Sequence, residues 1–157
     1  MPRTLGTLLR HLIELLDSAV ERAYTDAGLD YRPRYTPVMR VLIRQGPATI
    51  GEIAESAAIT QPAVTQTIGR MTEAGLVSIV PGVRDARQRI VQLTPEGQTL
   101  VSELERCWRA TALAAQSLDQ DLALPLGDVL EAAILALEKH PFEERIREAR
   151  RSLELGS

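Results

Sequence analysis

The chain of 157 residues has the length of about one globular domain, and its hydrophobic content of 45% is typical of a packed core. One cysteine excludes an internal disulfide and two histidines leave little for a metal cluster, so we expect neither a metal nor a cofactor. No apolar run approaches the ~20 residues of a membrane helix, and Arg10 and His11 interrupt the apolar stretch that a signal peptide needs, which indicates a cytoplasmic protein.

The net charge of −3 hides a basic centre. Residues 32–94 contain eight arginines against four acidic residues, whereas residues 1–31 and 95–157 are both acidic. Because phosphate binding depends on the local charge, nucleic acid is a candidate partner.

The first predicted helix runs from Thr4 to about Ala27, where Gly28 stops it, and it carries a broad stripe of leucines and alanines. A connector with two prolines follows. The second predicted helix begins at about residue 34 or 36 and ends at Arg44, before a Gly-Pro pair.

Two short helices and the turn between them form the most informative motif. A capping box of Thr49 and Glu52 begins the third helix, and Thr60 caps the fourth, which ends at Gly75. This arrangement is typical of a helix-turn-helix, whose second helix normally lies in the major groove of DNA.

The outward side of the fourth helix lacks the Glu/Lys pairs that support a solvated helix. It presents amides, hydroxyls and the bare backbone of Gly69, which suit hydrogen bonding to base edges. A solvated helix that happens to be rich in Thr and Gln is the alternative. The predicted DNA contacts of this motif are Thr49, Thr60, Gln61, Pro62, Thr65, Gln66 and Arg70.

Two β-rich runs, LVSIV and QRIVQL, predict a hairpin with a long tip between them. Arg84, Arg87 and Arg89 lie on or beside this tip, where they could enter the minor groove, whose negative potential attracts arginine. We expect Asp85 to stabilise the tip, either by pairing with an arginine or by capping backbone amides. Incidental charge on a soluble hairpin is the alternative.

The remaining chain is predicted to be helical. The fifth helix begins at Thr94-Pro95 and reaches about Leu118, the sixth follows Pro125, and a charged helix or tail follows Pro141. The apolar stripes of the first and fifth helices exceed what a small hairpin-bearing domain can cover, which predicts a homodimer. A larger monomeric helical core is the alternative.

The stretch TIGEIAESAAITQPAVTQTIGRMTEAGLVSIVPGVRDARQRIVQLTPEG resembles the winged helix-turn-helix core of the MarR family of multiple-antibiotic-resistance regulators. The matching marks are the helix exit EAGLV, the D-x-R of Asp85 and Arg87, and V-x-L-T-x-x-G from Val91 to Gly97. Family wings often carry a second basic residue where this chain has Ala86.

The resemblance implies a mainly α fold with a small β-hairpin. A winged helix-turn-helix DNA-binding domain would occupy residues 32–94, and the dimerisation helices would occupy residues 1–31 and 95–157. It also implies a homodimeric transcriptional regulator, most often a repressor, that binds a pseudo-palindromic operator in double-stranded DNA.

Many members of this family release DNA when a small, often aromatic or phenolic, molecule binds. The aromatic residues near the first connector suggest an effector pocket, although simple packing of a helix junction is the interpretation that we favour. The candidate residues are His11, Tyr24, Tyr31, Arg34, Tyr35 and Trp108.

Two other interpretations remain open, and a third class is not expected. Cys107 raises the hypothesis of a thiol-based redox-sensing regulator, but its mid-helix position on an apolar stripe favours an inert buried thiol. A winged-helix module that binds proteins and not DNA is a second class. An enzyme is not expected, because the chain has no Gly-rich phosphate loop, no metal-ligand spacing and no nucleophile elbow.

Overall fold

The computed structural model describes residues 3–156, and within this range the chain is mostly helical with one small sheet. The α-helices are α1 (Leu5–Asp26), α2 (Thr36–Gln45), α3 (Ile50–Ala57), α4 (Gln61–Glu73), α5 (Pro95–Gln120), α6 (Leu126–Lys139) and α7 (Phe142–Leu155). A 3-10 helix, Pro33–Tyr35, precedes α2. The strands are β1 (Ala48–Thr49), β2 (Val77–Pro81) and β3 (Arg89–Leu93). The predicted fold class, mainly α with a β-hairpin, is therefore confirmed, and the charged C-terminal segment is a helix.

The helix-turn-helix begins and ends where local sequence signals predict. Thr49 and Glu52 form both hydrogen bonds of the capping box at the start of α3. The hydroxyl of Thr60 accepts from the amide of Ala63 at 3.3 Å and caps α4. At the other end of α4, Gly75 has a φ of 75°, and the amide of Leu76 donates to the carbonyl of Met71 at 2.9 Å. These features are those of a Schellman motif, which needs a left-handed residue that glycine adopts without strain.

The sheet has one strand more than the sequence predicts. The hairpin strands pair in antiparallel register from Val77 opposite Leu93 to Pro81 opposite Arg89. The short β1 adds to the other edge of β3, which gives the order β1-β3-β2. Two residues are too few for a periodic pattern, so β1 leaves no recognisable signal in the sequence. We call β2, β3 and the tip at residues 82–88 the wing.

The core lies between the helix-turn-helix and the sheet. Val64, Ile68 and Met71 of α4 are buried, as their helical spacing predicts. They pack in one cluster with side chains of α2, α3, the sheet and α5. Because this stripe fixes the inner side of α4, it also fixes which residues of α4 face outward.

The chain divides into two compact units, one up to Arg109 and one from Ala110 onward. The first unit holds α1, the helix-turn-helix, the wing and the beginning of α5. In the second unit, none of the residues up to 156 is buried. Within residues 3–156, no helix combines the length and apolarity that a bilayer span requires.

Candidate nucleic-acid interface

The outward side of α4 is a polar surface without charged pairs. All six side chains predicted for this helix and its cap are exposed, namely Thr60, Gln61, Pro62, Thr65, Gln66 and Arg70. Amides and hydroxyls can both donate to and accept from base edges, which is what recognition in the major groove requires. The burial of the opposite side means that this surface is available to a partner.

The threonines of the motif also serve the fold. Thr49 is half-buried and its hydroxyl accepts from the amide of Glu52 at 3.1 Å. The hydroxyl of Thr65 donates to the carbonyl of Gln61 at 3.0 Å. Thr49 and Thr60 are therefore primarily helix caps, and among the predicted contacts Gln61 and Gln66 carry the most versatile exposed groups.

Gly69 lies on the exposed side of α4, where nothing in the chain requires a glycine. A Cβ atom added to Gly69 would meet no other atom within 4 Å. Glycine in a helix interior costs about 1 kcal/mol relative to alanine. Since internal packing does not explain this cost, close approach of an external partner to the backbone is a physical reason for it.

The tip of the wing is held by a small set of backbone hydrogen bonds. The amide of Gly82 donates to the carbonyl of Gln88 at 2.9 Å, and the amide of Gln88 donates to the carbonyl of Asp85 at 3.1 Å. The carboxylate of Asp85 accepts from the amide of Arg87 at 3.0 Å. Asp85 thus makes the backbone-capping contact, one of the two roles considered for it.

Glycine is required at the start of this tip by close packing. A Cβ atom on Gly82 would lie 2.5 Å from the carbonyl oxygen of Asp85. With the turn closed in this way, the side chains of Arg84, Arg87 and Arg89 all project into solvent. The wing therefore presents three cations on an ordered frame.

The arginines of the basic centre are not all directed to one surface. Arg32 pairs with Glu21, and the guanidinium of Arg40 lies 4.6 Å above the ring centre of Trp108. Such cation–π stacking orients the guanidinium of Arg40 toward α5. The positive charge available for phosphate is therefore concentrated on the wing more strongly than the count of arginines suggests.

The three tyrosines proposed for an effector pocket fill the junction between α1 and α2. Tyr24, Tyr31 and Tyr35 are all buried, and neighbouring rings meet edge to face at centroid distances of 4.7 and 5.5 Å. The hydroxyl of Tyr31 donates to that of Thr36 at 3.2 Å. The indole N–H of Trp108 donates to the hydroxyl of Tyr24 at 3.0 Å. These side chains thus pack against one another and belong to the buried core, with Trp108 packed against it.

The other two candidates lie apart from this cluster. His11 is exposed on α1, where its ring lies 3.9 Å from the carboxylate of Glu14. Arg34 lines an open cavity of about 600 Å³ together with Tyr35. The cavity also touches the C-terminal end of α4; its lining is Asp17, Glu21, Asp30, Arg32, Pro33, Arg34, Tyr35, Arg70, Glu73 and Ala74.

The single cysteine lies on α5 and is half-buried. Burial, and secondarily the nearby carboxylate of Glu103, raises the pKa of the Cys107 thiol. Because the thiolate is the reactive form, a raised pKa lowers the reactivity of this residue near neutral pH. Within residues 3–156, no group of three or more His, Cys, Asp or Glu side chains is placed to hold a metal ion.

One exposed residue of the wing was not singled out from the sequence. Val83 at the tip is the most exposed of the large hydrophobic side chains in the part of the chain that the structure describes. The sequence feature that could have identified Val83 is a single branched apolar residue between Gly82 and Arg84, in the predicted hairpin tip.

Comparison with known proteins also points to the segment that contains the helix-turn-helix. Residues 28–88 match the model of the MarR family. The uncharacterized HTH-type transcriptional regulator SAV2265 of Staphylococcus aureus is 30% identical over 63 residues, or 40% of this chain and 43% of the relative. This chain thus aligns with less than half the length of the curated relatives that it matches.

Solved structures share the fold over more of the chain. BpsR of Bordetella bronchiseptica, whose DNA binding is regulated by 6-hydroxynicotinic acid, has a TM-score of 0.63 at 23% identity, covering 88% of this chain and 94% of its own. Reduced AbfR, solved bound to DNA, has a TM-score of 0.63 at 20% identity, covering 86% of this chain and 91% of its own. These similarities establish a winged-helix fold.

Proposed function

We propose that this chain, whose residues 28–88 match the model of the MarR family, is a homodimeric, cytoplasmic regulator that binds specific sequences in double-stranded DNA. The observation that carries this proposal is the pairing of an exposed face on α4, with amides, hydroxyls and Arg70, with three exposed arginines on the wing of the same compact unit. In this proposal α4 occupies the major groove and the wing occupies the adjacent minor groove. Repression is the expected outcome of binding at an operator.

The apolar surfaces of the helices support self-association. On α1, six large apolar side chains are exposed: Leu5, Leu8, Leu9, Ile13, Leu15 and Leu16. On α6, five are exposed: Val129, Leu130, Ile134, Leu135 and Leu137. Surfaces of this kind are typical of oligomer interfaces, and a twofold dimer would place two copies of α4 in successive major grooves, about 34 Å apart.

Selection of duplexes from a random pool, followed by binding at several salt concentrations, tests this proposal. We expect selected sites to contain two inverted half-sites spaced by about one helical turn, and log affinity to fall linearly with log salt. A protein-interaction module would select no duplex and show no such dependence. Single half-sites bound by a monomer would contradict the dimer and leave DNA binding intact.

Replacing Gln66 with alanine should relax base preference more than it weakens binding to random duplex. Gln66 is exposed on α4, and each good bidentate contact with a base contributes about 1–3 kcal/mol of discrimination. Gln116→Ala on α5 is the matched control, because it removes another exposed helical glutamine. Equal weakening of all sequences would limit Gln66 to a phosphate contact.

We also propose that a small molecule controls DNA binding, and that it binds in the cavity lined by Arg34, Tyr35 and Arg70. This cavity reaches the C-terminal end of α4, so a bound molecule would contact the helix that reads DNA. Arg34 can pair with a carboxylate or phenolate, as an aromatic or phenolic effector requires. Release of labelled operator during titration with aromatic acids and phenols tests this proposal, and Arg34→Ala should abolish the response without abolishing DNA binding.

Cys107→Ser should leave operator affinity and its response to mild peroxide unchanged. The raised pKa of the thiol keeps it protonated near neutral pH, where oxidants react poorly with it. Operator binding before and after peroxide treatment measures this, and labelling of the wild-type thiol reports its reactivity directly. A peroxide response that only the wild-type protein shows would favour the redox-sensing alternative.

A further inference from the structure

The tip of the wing combines the cations of Arg84 and Arg87, and of Arg89 beside them at the start of β3, with the fully exposed apolar side chain of Val83. Val83 has an exposed fraction of 104%, above every other large hydrophobic residue between residues 3 and 156. Its neighbours along the tip, from Arg84 to Arg89, are also exposed and are mostly charged or polar. The tip thus presents an isolated apolar contact beside arginines and the carboxylate of Asp85, which accepts from the amide of Arg87.

The frame of the tip holds this side chain outward. The hydrogen bonds from Gly82 to Gln88 and from Gln88 to Asp85 close the turn on both sides of Val83. A side chain at residue 82 would not fit this turn, because its Cβ would lie 2.5 Å from the carbonyl oxygen of Asp85. A branched side chain such as valine also has few rotamers, so little entropy is lost when it meets a surface.

The size of this apolar contact distinguishes between partners. Protein docking surfaces are continuous patches of several hundred Å², and a single valine among arginines does not provide one. The minor groove of DNA is only about 6 Å wide and strongly negative, so it admits one small side chain flanked by cations. The chemistry of the tip therefore fits a minor groove better than a protein.

The floor of the minor groove is more polar at a G·C pair than at an A·T pair, and this difference affects contact with an apolar side chain such as valine. An A·T pair presents the C2–H of adenine, an apolar edge, whereas a G·C pair projects the exocyclic amino group of guanine. A valine pressed against that amino group would displace its water and offer no acceptor in return. Contact with an A·T pair carries no such penalty.

We propose that Val83 is a specificity-determining residue that selects A·T pairs beneath the tip of the wing. This inference rests on the proposed function, because it requires the wing to occupy the minor groove. It goes beyond that function in assigning sequence preference to an apolar contact, whereas the arginines supply affinity that depends mainly on charge.

Base substitution beneath the wing tests this assignment. The positions are located on the selected operator by hydroxyl-radical protection, and duplexes are made with A·T, G·C or inosine·cytosine pairs there. Inosine lacks the exocyclic amino group of guanine. We expect the wild-type protein to bind the A·T duplex roughly 10-fold more tightly than the G·C duplex. The inosine·cytosine duplex should recover most of the affinity that the G·C duplex loses.

Variants at Val83 distinguish the contribution of the apolar contact to the A·T preference from the contributions of groove shape and charge. V83I, which keeps an apolar branched side chain, should retain the preference for A·T, whereas V83S should reduce it to about 2-fold or less. Both variants should keep the salt dependence of the wild-type protein, because neither removes a charge. Unchanged thermal unfolding of V83S confirms that the fold is intact.

The outcomes distinguish this inference from the function on which it rests. If V83S binds the operator and discriminates A·T from G·C as the wild-type protein does, the inference is overturned and the arginines or groove width account for the preference. If the wild-type protein binds no duplex, the proposed function fails, and the inference fails with it.

Discussion

Replacing Gly97 with alanine is expected to destabilise the protein by about 3 kcal/mol, at the upper end of overpacking effects. Gly97 is buried in the first turn of α5, and a Cβ atom there would lie 2.2 Å from the carbonyl oxygen of Leu76 and 3.1 Å from its carbon. Both neighbours are backbone atoms. The amide of Thr94 donates to the same carbonyl of Leu76 at 3.0 Å, and the hydroxyl of Thr94 caps α5 by accepting from the amide of Gly97 at 3.0 Å. Neither side can therefore yield without breaking one of these hydrogen bonds.

Thermal and urea unfolding at one fixed protein concentration measures this loss. At this chain length, 3 kcal/mol corresponds to a fall in Tm of roughly 6–12 °C. The matched control is Gly127→Ala in the first turn of α6, where an added Cβ meets nothing within 4 Å. Its expected change is small and in the stabilising direction. If both variants unfolded at the wild-type temperature, the close contact at Gly97 would not exist in solution.

Replacing Arg87 with alanine is expected to weaken operator binding by about 1–3 kcal/mol, or roughly 5- to 150-fold, without unfolding the protein. The side chain of Arg87 is exposed, so its removal costs the fold little. The alanine retains the backbone amide that donates to the carboxylate of Asp85, so the tip keeps its hydrogen bond. The variant should therefore lose affinity because it lacks the interaction of Arg87 with the negative minor groove.

Binding of labelled operator at several salt concentrations measures this effect. Since a dimer carries two copies of Arg87, the slope of log affinity against log salt should fall by about 1–2. Arg151→Ala on α7 removes an equally exposed charge outside the winged domain and should change affinity much less. Wild-type affinity in the Arg87 variant would remove Arg87 from the proposed interface.

The short-range features of this fold were predictable from the sequence because neighbouring residues determine them. The capping residue Thr60, the glycine exit at Gly75 and the stripe of Val64, Ile68 and Met71 on α4 follow from helix geometry alone. These signals place α4 correctly and assign its outward side. The exposed face that we propose as the DNA-reading surface was thus predictable residue by residue.

Features that depend on distant contacts were not predictable. Arg40 appears in the sequence as one of eight arginines available for phosphate, but it stacks on Trp108, which lies on α5. The tyrosines pack the helix junction, as the favoured interpretation of the sequence has it, but which rings contact each other and Trp108 depends on the fold. The existing cavity instead involves α1 and the end of α4, an adjacency that no local pattern encodes.

The base of the wing is closed independently of its tip. Val77 pairs with Leu93, and the amide of Thr94 bonds to the carbonyl of Leu76, so the hairpin is already joined to the helices where it leaves them. Residues 82–88 can consequently be exchanged as a cassette between Pro81 and Arg89. A tip of different charge or shape would change the minor-groove preference while the helices keep their architecture. Such a protein could therefore acquire new DNA-binding sites through changes in this one short segment.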